Sequence, residues 1–302
     1  MRHHAGMTEP YRPRRTPESE TRVLRGLRHH VTVWRGETAP VVLLHGFMDC
    51  GATFQFVADE LAAGRTLIAP DWRGFGRSAW APGGYWFPDY FADLEALLDE
   101  VAPGAAVDLV GHSMGGNIAL TYAGLRPARV RRVVSLEGFG LHGTAADLAP
   151  ARYRDWLDQL RRPGAAGVFP AFDALAGVLR RRNPRLTADR AEFVARAWAE
   201  ALPQAGVQLR FDPAHKRVNP ILYRREEAEA CWRAIAAPVA CVAGAASEFA
   251  VRLQGVGEPE GLQRHIARLE FHVVADAGHM LHHDQPGEVA RIVEEFLGRD
   301  AA

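Results

Sequence analysis

The chain has 302 residues, 48% of them hydrophobic, which is ample for one sizeable core. Lys+Arg and Asp+Glu are both 36, so the formal net charge is zero and nothing points to a nucleic-acid or anionic-membrane partner. No run of about eighteen apolar residues occurs, so no membrane span is expected. The three sparse cysteines (Cys50, Cys231, Cys241) lack metal-ligand spacing and read as reduced thiols of a cytoplasmic protein.

Residues 1–20 are rich in Arg, Pro, Glu and His and have no apolar core of the kind a signal peptide needs. They read as a disordered tail, with His3-His4 as tail composition rather than a metal site. Residues 22–35 alternate loosely (Val23, Leu27, Val31, Val33) around Gly26, which predicts an opening hairpin. After Pro40, the run Val41–Leu44 predicts a strand buried on both faces of a parallel sheet, and His45-Gly46-Phe47-Met48 follows it directly. Cys50 reads as a small apolar filler rather than a reactive thiol. Residues 53–62 fit an amphipathic helix and residues 65–69 the next buried strand. That strand runs into Asp71-Trp72-Arg73-Gly74-Phe75-Gly76-Arg77-Ser78. Trp72, Trp80, Tyr85, Trp86 and Phe87 crowd the region and either line an apolar acyl pocket or pack a long loop. A helical stripe spans 89–101.

An apolar run (Val107, Leu109, Val110) then meets Gly111-His112-Ser113-Met114-Gly115, and an apolar helical pattern follows. Strand, tight turn and helix are the context of a nucleophile elbow, whose strained turn needs small residues two before and two after the serine. The strand 130–136 ends at Glu137-Gly138, a carboxylate among glycines that reads as a site loop. Residues 141–235 change to helical periodicity broken by Pro163, Pro170, Pro184 and Pro203. This predicts an inserted helical cap whose last part, 219–234, returns the chain to the core. Its arginines (Arg161-Arg162, Arg180-Arg181-Arg182) read as a solvated face rather than a receiver for an anionic substrate. A strand at 238–243 is followed by Gly244-Ala245-Ala246-Ser247-Glu248. A short helix at 263–268, a last strand at 269–274, Asp276-Ala277-Gly278-His279 and a helix at 287–298 complete the chain.

Three of these stretches together, His45-Gly46-Phe47-Met48, Asp71 to Ser78 and Gly111 to Gly115, resemble α/β-hydrolase-fold enzymes with a serine nucleophile. Residues 40–138 and 236–297 carry the resemblance. It implies an α/β fold with a mostly parallel eight-stranded sheet, helices on both faces and an inserted helical cap. The α/β-hydrolase core would take residues 21–140 and 236–302, and the cap with its return helix 141–235. It further implies Ser113 as nucleophile and His279, in the loop after the last strand, as general base and acid. Backbone N–H groups of Phe47 and Met114 would form the oxyanion hole. Asp71 and Arg73 are mostly structural in the family. His45 reads as a loop-ordering residue, because the fold's base comes last in the chain. His272 lies inside a strand, and His282 and His283 begin the final helix.

The acid departs from the family pattern. The commoner G-x-x-D slot here ends in Ser247, with Glu248 one residue late. Some members place the acid after the strand that follows the nucleophile helix, where Glu137 stands. Glu137 is favoured over Glu248, and Asp276 is too close to His279 in sequence. The expected activity is serine hydrolysis of a small-molecule carboxylic ester or related acyl substrate through an acyl-enzyme, with no metal or organic cofactor. A serine at the elbow argues against the dehalogenase and epoxide hydrolase branches, which use Asp there. Thioester, lactone, amide and carbon–carbon bond hydrolysis stay open. So does a non-catalytic ligand-binding homologue, which the missing G-x-x-D acid keeps in play. The residues specify neither the substrate nor an oligomeric state.

Overall fold

The computed structural model describes residues 9–162 and 164–299. The chain opens with a hairpin, β1 (Glu18–Leu24) and β2 (Leu27–Trp34), turned at Arg25-Gly26, where both residues take positive φ (50° and 79°). Strands and helices then alternate: β3 (Val41–Leu44), α1 (Gln55–Ala58), β4 (Leu67–Pro70), α2 (Phe87–Val101), β5 (Val107–His112), α3 (Met114–Leu125) and β6 (Val130–Leu136). A long excursion carries α4 (Ala149–Leu160), β7 (Val168–Phe169), α5 (Phe172–Arg182), α6 (Ala188–Trp198), β8 (Ala199–Ala201), β9 (Val207–Leu209) and α7 (Arg225–Arg233). The sheet resumes with β10 (Val239–Gly244), α8 (Glu248–Arg252), α9 (Pro259–Gln263), β11 (Leu269–Val274), α10 (Leu281–Asp284) and α11 (Pro286–Leu297).

Eight strands form one sheet in the order β1-β2-β4-β3-β5-β6-β10-β11, parallel from β4 to β11 and antiparallel at the opening hairpin. This is the mostly parallel eight-stranded α/β sheet that the resemblance implies. Every residue of β3, β4, β5 and β10 is buried, because helices cover both faces. Leu94, Leu98, Ile118 and Trp232 pack one face, and Val57, Val289, Val293 and Phe296 the other. β1 alternates exposed and covered residues and carries Glu18, Glu20 and Arg22, charges that suit an edge strand. No helix among the described residues is long and apolar enough to cross a membrane.

Several expectations are corrected; the short helix expected at 263–268, for one, lies earlier, at Pro259–Gln263, behind its N-terminal proline. Residues 1–8, including His3-His4, lie outside the described residues, but the disordered-tail reading does not extend through residue 20. Tyr11 Oη donates to Asp59 Oδ2 (2.7 Å) and its ring meets Phe56 edge-on at 4.8 Å. Arg15 N–H donates to Asp59 Oδ1 (2.7 Å), and β1 already begins at Glu18. Polar composition hides this, because the partners stand 48 and 44 positions away. The helix expected at 53–62 is a 3-10 turn, Gly51–Phe54, followed by the single turn of α1. Residues 53–58 are buried on every side, so the segment has no solvated face on which to extend as an amphipathic helix.

The excursion between β6 and β10 is not purely helical. β7, β9 and β8 form a small antiparallel sheet, in strands of two or three residues that are too short for a periodicity signal. Its own core gathers Leu175, Leu179, Ala191 and Val194. The return helix is α7 alone, shorter than 219–234, and Pro163 lies outside the described residues.

The loop after β4 is tied by buried charges. Asp71 accepts from the N–H groups of Gly51 (2.7 Å) and Arg77 (2.9 Å). Arg73 forks onto Asp93 with two contacts of 2.6 Å, and His29 Nε2 stands 3.2 Å from the same carboxylate. Burial opposes ionisation of Asp93, but His29 and Arg73 outweigh it and hold the carboxyl below its ordinary range. Its stabilising contribution is therefore complete above that range and lost as the pH falls through the lowered native value. Asp93→Asn, which breaks the two-contact fork and leaves Arg73 with the single, less buried carboxylate of Asp89 (3.1 Å), is expected to cost about 3 kcal/mol in urea unfolding at neutral pH, and less as the pH falls.

Candidate active site

The chain winds outward from β3 to β4 and then crosses back to β5, so the sheet order reverses between β3 and β5. Crevices at the carboxyl ends of parallel strands form at such a reversal. Four loops meet there, after β3, β5, β6 and β11. Ser113 stands between the end of β5 and the start of α3 at φ 51°, ψ −112°, a strained setting for a non-glycine residue. Its N–H donates to Leu136 O (2.7 Å), which ties the turn to the end of β6.

His279 Nε2 lies 3.1 Å from Ser113 Oγ, and His279 Nδ1 lies 3.1 Å from Glu137 Oε2. With Nδ1–H donating to the carboxylate, Nε2 is left to accept the Ser113 O–H. The imidazole is held on both sides. His112 Nε2 contacts the His279 carbonyl at 2.8 Å, and the Phe249 ring lies 4.6 Å away, centroid to centroid. Gly278 N–H donates to Asp284 Oδ2 (2.9 Å), and Asn183 Nδ2 donates to Asp284 Oδ1 (2.6 Å), so Asp284 anchors the His279 loop to the end of α5. His279 remains 32% exposed.

Glu137 is fully buried at φ 58°, directly after β6, and its N–H donates to Val242 O (2.8 Å). Gly244 N–H donates to its Oε1 (2.7 Å), and Ser247 Oγ donates to its Oε2 (2.5 Å). A carboxyl group this deep needs such hydrogen-bond partners in place of water. Glu248 points elsewhere: it is exposed, begins α8, and makes no hydrogen bond to His279. The structure brings Ser113, His279 and Glu137 together and leaves out the alternative Glu248. In the sequence, Ser247 marks only the absence of the commoner acid. Its hydroxyl reaches the carboxylate that stands on the neighbouring strand.

Phe47 and Met114 flank the serine from the β3 loop and the start of α3. Neither N–H donates to a loop carbonyl or a side chain among the described residues. The β3 loop passes very close to the elbow: a Cβ on Gly46 would lie 2.8 Å from His112 Nδ1 and 3.3 Å from Ser113 Cβ. His45 is buried beneath the loop, where its Nε2 accepts the Trp72 N–H (2.8 Å) and its Nδ1 contacts Gly46 O (2.7 Å). It orders the loop and lies away from the serine hydroxyl. Cys50 is buried and burial pushes its thiol well up, as suits a filler.

A cavity of about 330 Å³ opens beside Phe47 and Met114. Tyr85, Trp86, Tyr90 and, from α4, Trp156 line it. The aromatic cluster thus divides. Tyr85, Trp86 and Phe87 line the cavity, Trp72 is buried with its Nε1–H on His45 O (3.0 Å), and Trp80 is exposed. His215 is stacked between Phe75 and Tyr85, with centroids at 3.8 and 3.6 Å.

Burial pushes His45, His112, His215 and His283 below the ordinary histidine range, His215 to about 4. Between roughly pH 6.5 and those lowered values the unfolded chain binds protons that the native chain does not. The stability these neutral imidazoles lend is therefore present above that window and lost as the pH falls through it. The urea midpoint is expected to drop from about pH 7 to about pH 5, and His215→Gln to make the drop shallower by up to ~1.4 kcal/mol per pH unit.

One more buried group bears on metals. Donor atoms of Asp49, His282 and His283 lie within 4.8 Å of one another, with His282 Nε2 at 3.6 Å from Asp49 Oδ2. Two imidazoles and a carboxylate suit a divalent ion such as zinc; without one, Asp49 Oδ2, both His282 ring nitrogens and His283 Nε2 have no hydrogen-bond partner among the described residues. The Ser113–His279–Glu137 line uses none of these atoms.

Comparison with known proteins agrees with this fold. A family model described as alpha/beta hydrolase fold matches residues 39–286. The chain is 30% identical over 281 residues to 2-hydroxymuconate semialdehyde hydrolase of a Pseudomonas species, covering 88% of this chain and 90% of that one. It is 29% identical over 279 residues to 3-hydroxybutyrate-oligomer hydrolase of Cupriavidus necator, covering 88% and 91%. The thioesterase domain from the curacin biosynthetic pathway superposes with a TM-score of 0.82 at 24% identity, covering 93% of this chain and 99% of that domain, a likeness of fold. The chain belongs to the alpha/beta hydrolase fold family.

Proposed function

We propose that this chain is a serine hydrolase acting on a carboxylic ester or related acyl substrate through an acyl-enzyme. The observation that carries the reading is the continuous line from buried Glu137 through His279 to Ser113, with 3.1 Å at each step. A serine hydroxyl is a weak nucleophile near neutral pH and needs a base in reach, itself oriented by a carboxylate. Ser113 Oγ attacks the acyl carbon while His279 Nε2 takes its proton. The carbonyl oxygen gains negative charge, which the Phe47 and Met114 N–H groups stabilise; a single such donor is worth about 3 kcal/mol. His279 then protonates the leaving alkoxide as the carbon–oxygen bond breaks. A water, deprotonated by His279, attacks the acyl-Ser113 ester, and the acid leaves as Ser113 regains its proton. Glu137 keeps the imidazole in the working tautomer and stabilises its charged form. The related proteins named for hydrolysis of a semialdehyde and of 3-hydroxybutyrate oligomers support a small acyl compound as substrate.

The test is covalent labelling by a fluorophosphonate, read by intact mass. The expected result is one adduct on the wild-type chain and none on Ser113→Ala. Wild-type protein that is folded yet takes no label would overturn the serine-hydrolase reading and favour a ligand-binding homologue.

A further inference from the structure

The cavity beside Phe47 and Met114 is mostly aromatic and apolar. Arg217 is the one charged side chain among its described lining residues. Its Nε is buried without a hydrogen-bond partner, and no carboxylate lies within 4.0 Å of its guanidinium among the described residues. The arginines that stand out in the sequence of this segment, Arg161, Arg162 and Arg180 to Arg182, are all exposed, as a solvated face should be. Arg217 is unlike them. A guanidinium next to aromatic walls loses hydration and gains nothing in return unless an anion meets it.

The backbone around Arg217 is also fixed in advance. Arg217 N–H donates to Ala214 O (3.1 Å), Gln159 Oε1 accepts the Val218 N–H (2.7 Å), and Arg152 forks onto Asn219 O (3.1 and 2.7 Å). The loop is thus clamped to α4, which supplies Trp156 and Leu160 to the same cavity. The neighbouring titratable groups do not supply the missing charge. His215 is kept neutral by burial, and the Tyr85 hydroxyl is pushed up by burial and by donating to Asp212 Oδ2 (2.7 Å).

We propose that Arg217 is an anion-binding residue of the substrate cavity, and that the acyl substrate carries an anionic oxygen group, such as a carboxylate, away from the bond that is cleaved. This rests on the serine-hydrolase reading for the chemistry, but the cavity and its arginine are independent of it. The planar fork of a guanidinium meets two oxygens at once, which fixes orientation as well as affinity. The loop that carries Arg217 would thereby set which acyl compounds dock with their carbonyl toward Phe47 and Met114.

Two measurements on the full chain separate this inference from the serine-hydrolase reading. The first compares mono-p-nitrophenyl adipate with its methyl-capped diester, which has the same chain without the charge. Wild type is expected to favour the anionic ester by about tenfold in kcat/KM, mainly through KM, and Arg217→Met to abolish the preference. Arg217→Lys keeps the charge without the fork and is expected to fall between. The second is calorimetric binding of monomethyl adipate to Ser113→Ala, expected to be lost in Ser113→Ala/Arg217→Met. Equal handling of both esters by wild type, or a preference or binding that survives Arg217→Met, would overturn the inference and leave a solvated arginine only. Arginine-dependent binding with no turnover of either ester would keep Arg217 and remove the ester chemistry.

Discussion

Glu137→Gln is expected to lower kcat for p-nitrophenyl butyrate by about four orders of magnitude, while Glu248→Gln stays within twofold of wild type. The substitution is nearly isosteric but reverses the electrostatics at the imidazole. The carboxylate now accepts from Gly244 N–H, Ser247 Oγ and His279 Nδ1 at once. An amide keeps one acceptor and turns the other oxygen into a donor that faces either Gly244 N–H or both Ser247 Oγ and His279 Nδ1. Either the working tautomer of His279 or its position is then lost, and the imidazolium that forms during attack has no counter-charge. Circular dichroism and the urea midpoint separate a catalytic loss from a folding loss. A collapse in Glu248→Gln with a mild effect at Glu137 would move the acid to the loop after β10. Such a result would require α8 to rearrange, since Glu248 is exposed.

The second large effect is on stability. Gly115→Ala is expected to cost more than about 4 kcal/mol in urea unfolding, the range reserved for substitutions with no room to relax. A Cβ there would lie 2.0 Å from Leu44 O, 2.5 Å from Leu44 C and 2.8 Å from His45 O. All three are backbone atoms, so no side-chain rotation relieves the overlap. The start of α3 would have to lift from the end of β3. That shift would move the Met114 N–H relative to Phe47 and reduce kcat about a hundredfold in whatever fraction stays folded. Gly287→Ala is the control, because nothing lies within 4 Å of a Cβ built there. It is expected to change stability by less than about 0.5 kcal/mol. A mild Gly115→Ala would mean that the elbow is looser than its contacts imply.

How much was legible in the sequence follows from the range of each interaction. The buried strands, the elbow and the order Ser113 then His279 are written in short stretches. An all-apolar run is a strand covered on both faces, and glycine spacing around Ser113 reflects backbone atoms that must nearly touch. Such signals survive without any knowledge of what packs where. The separation of Glu137 from Glu248 was of another kind. Both are glutamates at the start of a loop after a strand, and local pattern treats them alike. Their difference arises only when β6 and β10 pair side by side, which puts Gly244 N–H and the Ser247 hydroxyl onto the Glu137 carboxylate across 107 and 110 positions. Tyr11 and Arg15 were read as tail for the same reason, since Asp59 satisfies them from a distant turn. Arg217 sits in a stretch with no motif, and only the meeting of α4, the aromatic run Tyr85 to Phe87 and the loop after β3 makes it the charge in a cavity. The sequence by itself determined the buried strands and the tight turn at Ser113, because those depend on periodicity and backbone space within a few residues, and the resemblance carried the sheet as a whole and the His279 loop. The tertiary structure alone put Glu137 rather than Glu248 beside His279, gave it the Ser247 hydroxyl as a partner and lined the cavity, because burial and hydrogen bonding between distant segments distinguish residues that look equivalent along the chain.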